Sequence, residues 1–234
     1  MRPLIIGHRG CAGLEPENTL RSFLRAVALG VDAVEMDVHL SRDGVPMAIH
    51  DATLERTTNG RGNVRDFSAA ELSALTIRAP DGSAEWVPTL EEVMSAVPAR
   101  VGSVIELKAT GTAAPVVELV RKFRAAQRVT IISFNLELLK EVHRLDGGIA
   151  LGALWTKPPR DVMARAKAAG AGMIDVNHRY TTARWVARAR AQKLRCVVWT
   201  VNRVLDMRRA VKLGVDGITT DFPDKAARCG LIGG

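Results

Sequence analysis

The stretch Ala33-Val34-Glu35-Met36-Asp37-Val38 is apolar except for two carboxylates that stand one residue apart. In a β-strand, successive side chains point to opposite faces, so Glu35 and Asp37 share one face and their apolar neighbours share the other. Two like charges about 7 Å apart on one strand face repel, and burying them costs on the order of several kcal/mol. A protein keeps such a pair when a cation sits between the charges or when they face water.

A third carboxylate, Glu106, has a similar setting in Val104-Ile105-Glu106-Leu107-Lys108. Three carboxylates on two apolar strands predict a site for a hard divalent metal, Mg²⁺ or Ca²⁺, because these ions prefer oxygen ligands. His8 and His50 lie close in sequence to this region. A divalent metal with two histidines is suited to acid–base chemistry on a phosphate.

Eight short runs rich in β-branched residues recur along the 234 residues, and amphipathic stretches lie between most of them. Such alternation indicates a parallel sheet covered by helices. The count of eight and the chain length favour an α/β fold of the closed (β/α)₈ TIM barrel type over an open doubly wound sheet. The predicted strands are residues 4–7, 33–40, 101–108, 129–134, 149–155, 173–176, 195–201 and 215–220.

The connection after the second strand is far longer than the usual βα loop of about 2–6 residues. We predict an insertion over about residues 41–88, with a short strand at 45–49 that ends in His50-Asp51. A capping box of Ser68 and Glu71 predicts a short helix within it, and Thr89 with Glu92 predicts another helix over 90–97. No second domain is indicated, so residues 1–234 are predicted to form one barrel domain.

The candidate residues stand where the predicted strands end, which is where TIM barrels carry their active sites. The turn His8-Arg9-Gly10 follows the first strand, Glu106 and Lys108 end the third, and Trp199 ends the seventh. Asp221, two residues before a proline, is predicted to cap the last helix.

The chain resembles the glycerophosphodiester phosphodiesterase family through a set of short motifs that follow one another in family order and cover nearly the whole sequence. Each motif is weak alone, but the ordered set is specific; His39 and Cys11 are small departures from the pattern. The motifs are Gly7-His8-Arg9-Gly10, Pro16-Glu17-Asn18-Thr19-Leu20, Glu35-x-Asp37-Val38, Asp43-Gly44, His50-Asp51 with Leu54 and Arg56-Thr57-Thr58, Pro88-Thr89-Leu90-Glu91-Glu92, Glu106-Leu107-Lys108, Ser133-Phe134, Trp199-Thr200-Val201-Asn202 and Asp216-Gly217-x-x-Thr220-Asp221-x-Pro223.

The resemblance implies a phosphoric diester hydrolase that converts glycerophosphodiesters to glycerol 3-phosphate and an alcohol. It implies that Glu35, Asp37 and Glu106 bind the divalent metal, and that His8 and His50 are the acid–base pair. Water and the glycerol 2-hydroxyl both stay open as the nucleophile, and so do the identity of the alcohol and the division of roles between the histidines.

Four further residues are predicted to bind substrate, each with a structural alternative. Arg9 has a planar guanidinium that matches phosphate oxygens, although it could instead form a salt bridge. Lys108 would add positive charge near the phosphate or form an ion pair, and Trp199 would pack on the glycerol or in the barrel core. Glu17 would touch the metal or ligand, or else start a helix with Asn18 as its N-cap.

Composition narrows the class of partner. The formal net charge is +8, but the basic residues are scattered at helical spacing, and only 4% of residues are aromatic, which argues against binding nucleic acid. No apolar run approaches a membrane span, so no stable membrane insertion is expected. An odd count of three cysteines predicts a reducing compartment, and we expect a soluble cytoplasmic protein of unknown oligomeric state.

Two rival functions remain open at this point. A lysophospholipase D-like phosphodiesterase on the same barrel would need an apolar rim around the insertion, where Phe67 and Trp86 are the large candidates. A non-catalytic phosphate-metabolite binder would be expected to lack one of the predicted metal ligands or catalytic histidines. All five are present: Glu35, Asp37, Glu106, His8 and His50.

Overall fold

The computed structural model of the chain describes residues 2–232. Within them, eight parallel strands form the barrel, and three short strands lie in the insertion after the second barrel strand. The strands are β1 (Leu4–Gly7), β2 (Ala33–Leu40), β3 (Pro46–Ala48), β4 (Ile77–Arg78), β5 (Ala84–Glu85), β6 (Gly102–Leu107), β7 (Val129–Ser133), β8 (Ala150–Trp155), β9 (Met173–Asn177), β10 (Arg195–Trp199) and β11 (Gly217–Thr220).

The first strand closes the barrel by pairing in parallel with both β11 and β2. Leu4 stands opposite Gly217 in one ladder, and Ile6 stands opposite Ala33 in the other. The strand order around the barrel is therefore β1, β2, β6, β7, β8, β9, β10 and β11. This closure confirms the predicted (β/α)₈ barrel.

Helices cover the outside of the barrel, and their starts follow capping chemistry visible in the sequence. Both predicted capping boxes are confirmed: Ser68 with Glu71, and Thr89 with Glu92, each exchange side chain-to-backbone hydrogen bonds. The helices are α1 (Leu20–Ala28), α2 (Ala69–Ser73), α3 (Leu90–Ala96), α4 (Ala113–Lys122), α5 (Leu136–Leu145), α6 (Val162–Ala168), α7 (Ala183–Ala191), α8 (Val204–Leu213) and α9 (Pro223–Arg228).

The insertion begins with a hairpin that returns along β2. Strand β3 pairs antiparallel with β2, with Ala48 opposite Val38, and the Ile49 N–H donates to the Asp37 carbonyl at 3.0 Å. The rest of the insertion encloses a small core of its own, which includes Leu54, Leu72 and Val87. The hairpin thus brings the chain after Ile49 back beside the C-terminal half of β2.

Successive side chains of the barrel strands point alternately outward and inward, and they belong to two different apolar clusters. Val34, Met36 and Val38 of β2 belong to the large cluster between the sheet and the helices. A smaller cluster fills the barrel interior and contains Ile6, Ala33, Val104, Ile132, Leu154, Met173 and Val197, with Trp199 packed against it. Glu35 and Asp37 alternate with the outward residues and so belong to the interior, as the sequence pattern predicts.

Candidate active site

The turn after β1 is fixed by close packing against α1. Gly10 has φ +87° and lies so close to Ser22 that a Cβ atom there would overlap it. Ser22 Oγ accepts from the Cys11 N–H and donates to the Arg9 carbonyl, both at 2.9 Å. The Arg9 N–H in turn donates to Glu35 Oε2 at 2.9 Å. The turn that carries His8 is therefore tied to both α1 and β2.

His8 is held by a carboxylate from the far end of the chain. Its Nδ1 donates to Asp221 Oδ1 at 2.6 Å, and Asn202 Nδ2 donates to Asp221 Oδ2 at 2.6 Å. His8 Nε2 lies 3.9 Å from Glu35 Oε2. Burial lowers the pKa of His8, but the Asp221 hydrogen bond and the Glu35 charge outweigh it, so the pKa is raised overall.

Asp221 was expected to cap the last helix, and that prediction is wrong. The N-cap position of α9 is Phe222, and both oxygens of the Asp221 carboxylate are taken by His8 and Asn202. Closure of the barrel between β11 and β1 places this carboxylate beside His8, which no local pattern shows.

His50 is held in a similar way by Asp51, the next residue in the chain. Its Nδ1 donates to Asp51 Oδ1 at 2.6 Å, and Arg56 Nε pairs with Asp51 Oδ2 at 2.6 Å. The His39 ring contacts the His50 carbonyl through Nε2 at 3.1 Å. Burial lowers the pKa of His50, and the nearby Asp37 and Asp51 do not compensate fully, so the pKa lies below its usual range.

The three predicted carboxylates form one buried cluster. Each of Glu35, Asp37 and Glu106 offers a carboxylate oxygen that lies within 4.8 Å of the oxygens of the others. Burial, together with the charge of Asp37, raises the pKa of Glu35 to about 8 and that of Glu106 to about 6. Ionising all three carboxyl groups at once is therefore costly, and a bound cation would offset that cost.

The donor set fits a hard divalent metal. Asp37 Oδ1 is buried and has no hydrogen-bond partner among residues 2–232, although Lys108 Nζ lies 3.4 Å from it. Lys108 Nζ also donates to Glu106 Oε1 at 2.8 Å. Three carboxylates with one unsatisfied buried oxygen are what an oxygen-liganded cation requires. The cluster could therefore bind a metal.

Asp37 is fixed in place by Asn18. The Asn18 Nδ2 donates to Asp37 Oδ2 at 2.9 Å, and the Asp37 N–H donates back to Asn18 Oδ1 at 3.2 Å. Asn18 is therefore not the N-cap of α1; Thr19 occupies that position and accepts from the Ser22 N–H. Asn18 adopts a left-handed φ of 56°, which an asparagine tolerates better than most residues.

Arg9 and Glu17 meet each other in this structure. Arg9 donates through Nη1 to Glu17 Oε1 at 2.9 Å, and its Nε lies 3.2 Å from Asp37 Oδ2. Both oxygens of Glu17 also accept from Arg56, at 2.7 and 2.8 Å. Arg9 borders the cavity described next, but Glu17 does not. Glu17 instead connects Arg9, which follows His8, with Arg56, which pairs with the aspartate beside His50.

A cavity of about 230 Å³ opens over these residues. On one side it is bordered by titratable groups from β1, β2, β6, the segments that follow them and the insertion: His8, Arg9, Glu35, His50, Glu106 and Lys108. On the other side it is bordered mainly by apolar groups, among them Ile132, Leu154, Phe134 and Trp199. The rings of Phe134 and Trp199 meet edge to face, with centroids 5.7 Å apart.

Asp175 also borders this cavity, and sequence reasoning missed it. It lies on β9 in Met-Ile-Asp-Val-Asn, a run that the sequence pattern marks only as a short strand. A single carboxylate in one strand lacks the paired spacing that revealed Glu35 and Asp37, so no local signal could have found it.

Known proteins resemble this chain over most of its length. The sequence profile of the glycerophosphoryl diester phosphodiesterase family matches residues 8–225. A protein from Caldanaerobacter subterraneus named glycerophosphodiester phosphodiesterase is 34% identical, over 96% of each chain. The chain belongs to the glycerophosphoryl diester phosphodiesterase family.

Solved structures of similar proteins share the fold of this family member. A putative glycerophosphoryl diester phosphodiesterase from Silicibacter pomeroyi superposes with a TM-score of 0.90 at 28% identity, covering 97% of this chain and 92% of that one. An Oleispira antarctica phosphodiesterase, solved with its product sn-glycerol-3-phosphate, gives 0.89 at 28% identity, with 97% and 96% covered.

No helix within residues 2–232 is long and apolar enough to cross a bilayer.

All three cysteines are free thiols. Burial raises the pKa of Cys11 to about 11, which makes this thiol a poor nucleophile.

Proposed function

We propose that this protein hydrolyses glycerophosphodiesters to glycerol 3-phosphate and an alcohol. The observation that carries the proposal is that two histidines, each held through Nδ1 by its own aspartate, border the same cavity as the carboxylate cluster. Membership of the glycerophosphoryl diester phosphodiesterase family supports the same chemistry. The chain provides an acid, a base, a cation site and positive side chains around one opening.

Glu35, Asp37 and Glu106 would hold a divalent metal, Mg²⁺ or Ca²⁺, since all three ligands are oxygens and Zn²⁺ prefers nitrogen or sulfur. When bound there, the ion would neutralise charge on a phosphate oxygen. Asn18 keeps Asp37 in position for this role, and the Arg9 N–H does the same for Glu35.

His8 and His50 would move the protons. One would take a proton from the nucleophile while the other gives a proton to the leaving alcohol oxygen. Because Nδ1 of each ring is engaged by Asp221 or Asp51, Nε2 is the atom left for the substrate. The two rings come from the turn after β1 and from the insertion, so they approach the cavity from different segments.

Lys108 and Arg9 border the cavity beside the carboxylates, and we propose that they stabilise the negative charge that grows on the phosphate. Trp199 would cover the carbon face of the glycerol from the opposite side. Glu17 was predicted to bind substrate directly; its contacts favour an indirect role, in which it holds Arg9 and Arg56.

The scattered basic residues and the low aromatic content support a small-molecule substrate rather than nucleic acid. Three free cysteines support a cytoplasmic location.

A product assay tests this function directly. Purified protein with Mg²⁺ or Ca²⁺ is supplied with glycerophosphocholine, glycerophosphoethanolamine or glycerophosphoglycerol, and glycerol 3-phosphate is measured. We expect higher kcat/KM on these diesters than on lysophospholipids or bis-aryl phosphates. Of the two aromatic residues in the insertion, Phe67 packs in its small core and only Trp86 is exposed, so the rim offers little for an acyl chain.

A clearly higher kcat/KM on lysophospholipids would instead indicate a lysophospholipase D-like function. Binding of glycerol 3-phosphate without turnover of any diester would instead indicate a non-catalytic binder.

A further inference from the structure

Asp175 is a buried carboxyl group that the proposed chemistry does not use. It lies on β9, which stands opposite β2 across the barrel, and only 3% of the residue is exposed. Its Oδ1 is buried and has no hydrogen-bond partner within residues 2–232. Buried polar groups in proteins are nearly always paired, so an unpaired one calls for an explanation.

The surroundings of Asp175 are apolar. Its partners in the strand ladders are Leu154 on β8 and Val197 on β10, and both belong to the cluster inside the barrel. Burial is the main cause that raises its pKa to about 8, and the charge of Glu106 adds to this. A carboxyl group is costly at such a position unless a ligand pairs with it.

A second unpaired polar atom lies on the neighbouring strand. The indole Nε1 of Trp199 is buried and also lacks a hydrogen-bond partner in the described residues. Trp199 and Asp175 border the same cavity, in the half that is otherwise lined mainly by carbon. An apolar pocket with a few polar groups is the usual form of a site for a small organic ligand, because the polar groups fix its orientation.

We propose that Asp175 binds the terminal hydroxyl of the substrate's glycerol, the hydroxyl farthest from the phosphate. This deepens the proposed function and rests on it. The phosphate would lie beside the carboxylate cluster, His8 and Lys108, so a glycerol that reaches across the barrel brings its far end to β9. A hydroxyl both donates and accepts, which suits a carboxyl group next to an indole N–H.

The same contact would distinguish glycerol from its close analogues. A site built around a hydrogen bond to a hydroxyl rejects the analogue that lacks it, because the buried partner is then left unpaired. A glycerol acylated on its terminal oxygen has no hydroxyl to donate there. Asp175 would thus select free glycerol over both the deoxy compound and the 1-acyl lipid.

The test uses two phosphodiesters of ethanolamine that differ in one atom. One carries glycerol and the other carries propane-1,2-diol, which keeps the hydroxyl next to the phosphate-bearing carbon and lacks only the terminal one. We expect the wild-type protein to favour the glycerol diester by at least about tenfold in kcat/KM. In Asp175→Val this preference should fall to less than about threefold, and Asp175→Asn should retain most of it because the amide still pairs with a hydroxyl.

Met173→Leu provides the matched control. Met173 is buried inside the barrel on the same strand and has no polar group to offer, so this variant should keep the wild-type preference. Thermal unfolding of all four proteins checks that they fold, and Asp175→Val is expected to unfold at no lower temperature than the wild type, because it removes an unpaired buried group.

A preference that survives in Asp175→Val overturns the proposal. If the wild-type protein hydrolyses neither diester, the proposed function itself fails, and the role of Asp175 fails with it.

Discussion

Each histidine of the candidate site is hydrogen-bonded to its own aspartate, but the two aspartates differ in what surrounds them. Asp221 is held by the neutral amide of Asn202, whereas Asp51 is paired with the guanidinium of Arg56. The two pKa values also shift in opposite directions. Burial lowers both, but the Asp221 hydrogen bond and the Glu35 charge raise the pKa of His8 overall, whereas Lys108 and Arg9 add to burial and the pKa of His50 is lowered.

Removal of either ring should slow the reaction without unfolding the protein. We expect His8→Ala and His50→Ala each to lower kcat by roughly 10²- to 10⁴-fold, which is the usual contribution of a general acid or base. The measurement is steady-state turnover of glycerophosphoethanolamine, with circular dichroism to confirm folding.

His143→Ala is the control, since His143 lies exposed on α5 and should leave turnover unchanged. Near wild-type turnover of His50→Ala on a diester with an alkyl alcohol would remove His50 from the mechanism.

The buried Asp175 should make stability depend on pH in a definite direction. Its pKa is raised to about 8 in the folded protein and is about 4 in the unfolded chain, so the folded state holds the proton more tightly. Asp175 therefore costs the folded state least at low pH, where it is protonated in both states, and this cost grows as pH rises from about 4 through about 8.

Thermal unfolding of the metal-free protein and of Asp175→Asn tests this at pH 5.5 and pH 9. We expect the wild type to lose more in Tm than the variant over that interval. Parallel losses in the two proteins would show that Asp175 does not titrate in this range.

At the scale of elements, helix α1 departs from its apolar pattern at one position. Leu20, Phe23, Leu24 and Val27 follow the i, i+3, i+4, i+7 spacing of an apolar face, and all but Leu24 pack in or against the core. Leu24 is 45% exposed, whereas the small residues Ser22 and Ala26 are fully buried. The reason is the turn after β1, whose backbone packs so closely on the helix that only small side chains fit there. The turn that carries His8 thus restricts which side chains α1 can place against it.

The capping box of α3 holds the end of the insertion in place. Thr89 Oγ1 accepts from the Glu92 N–H at 3.1 Å, and the Thr89 N–H donates to Glu92 Oε2 at 2.8 Å. Thr89→Ala should cost about 1 kcal/mol of stability, because the N–H groups of the first turn lose a partner. For a chain of this length, that corresponds to a fall in Tm of about 2–4 °C.

Ser95→Ala on the same helix is the control for the cap. Ser95 is exposed and bonds only to a carbonyl one turn earlier, so its loss should change stability by less than about 0.5 kcal/mol. Equal losses in both variants would show that the cap itself contributes nothing measurable.

For the molecule as a whole, the barrel gathers negative charge at one point, and a metal should relieve it. Exhaustive chelation is expected to abolish diester hydrolysis, and Mg²⁺ or Ca²⁺ is expected to restore it. The same ions should raise Tm, because they bind the folded state and not the unfolded chain.

Glu35→Gln should weaken both effects. Glu118→Gln, at an exposed position of α4, should weaken neither. Full activity after exhaustive chelation would exclude a catalytic metal.

The predicted strands agree with the structure to within about two residues, because near-continuous apolar runs between helical patterns identify buried parallel strands. Five candidate residues, Glu35, Asp37, Glu106, His8 and His50, are visible in the same way, since paired acids in an apolar strand and histidines directly after a strand are unusual; that they act in catalysis stays a prediction. The residues that hold these side chains in position were harder to predict. Asn18 and Asp221 stand in sequences that resemble helix starts, and nothing local indicates that they hold Asp37 and His8.

The sequence by itself determined the barrel, the carboxylate cluster and the two histidines, because each follows from the alternation of side chains within one strand or from the place where a strand ends. Tertiary structure alone decided which aspartate holds His8, why Arg9 and Glu17 meet, and that Asp175 faces the same cavity as Trp199. Those contacts join segments as far apart as β1 and β11. They depend on strand register and barrel closure, and these are properties of the whole sheet rather than of any single stretch of chain.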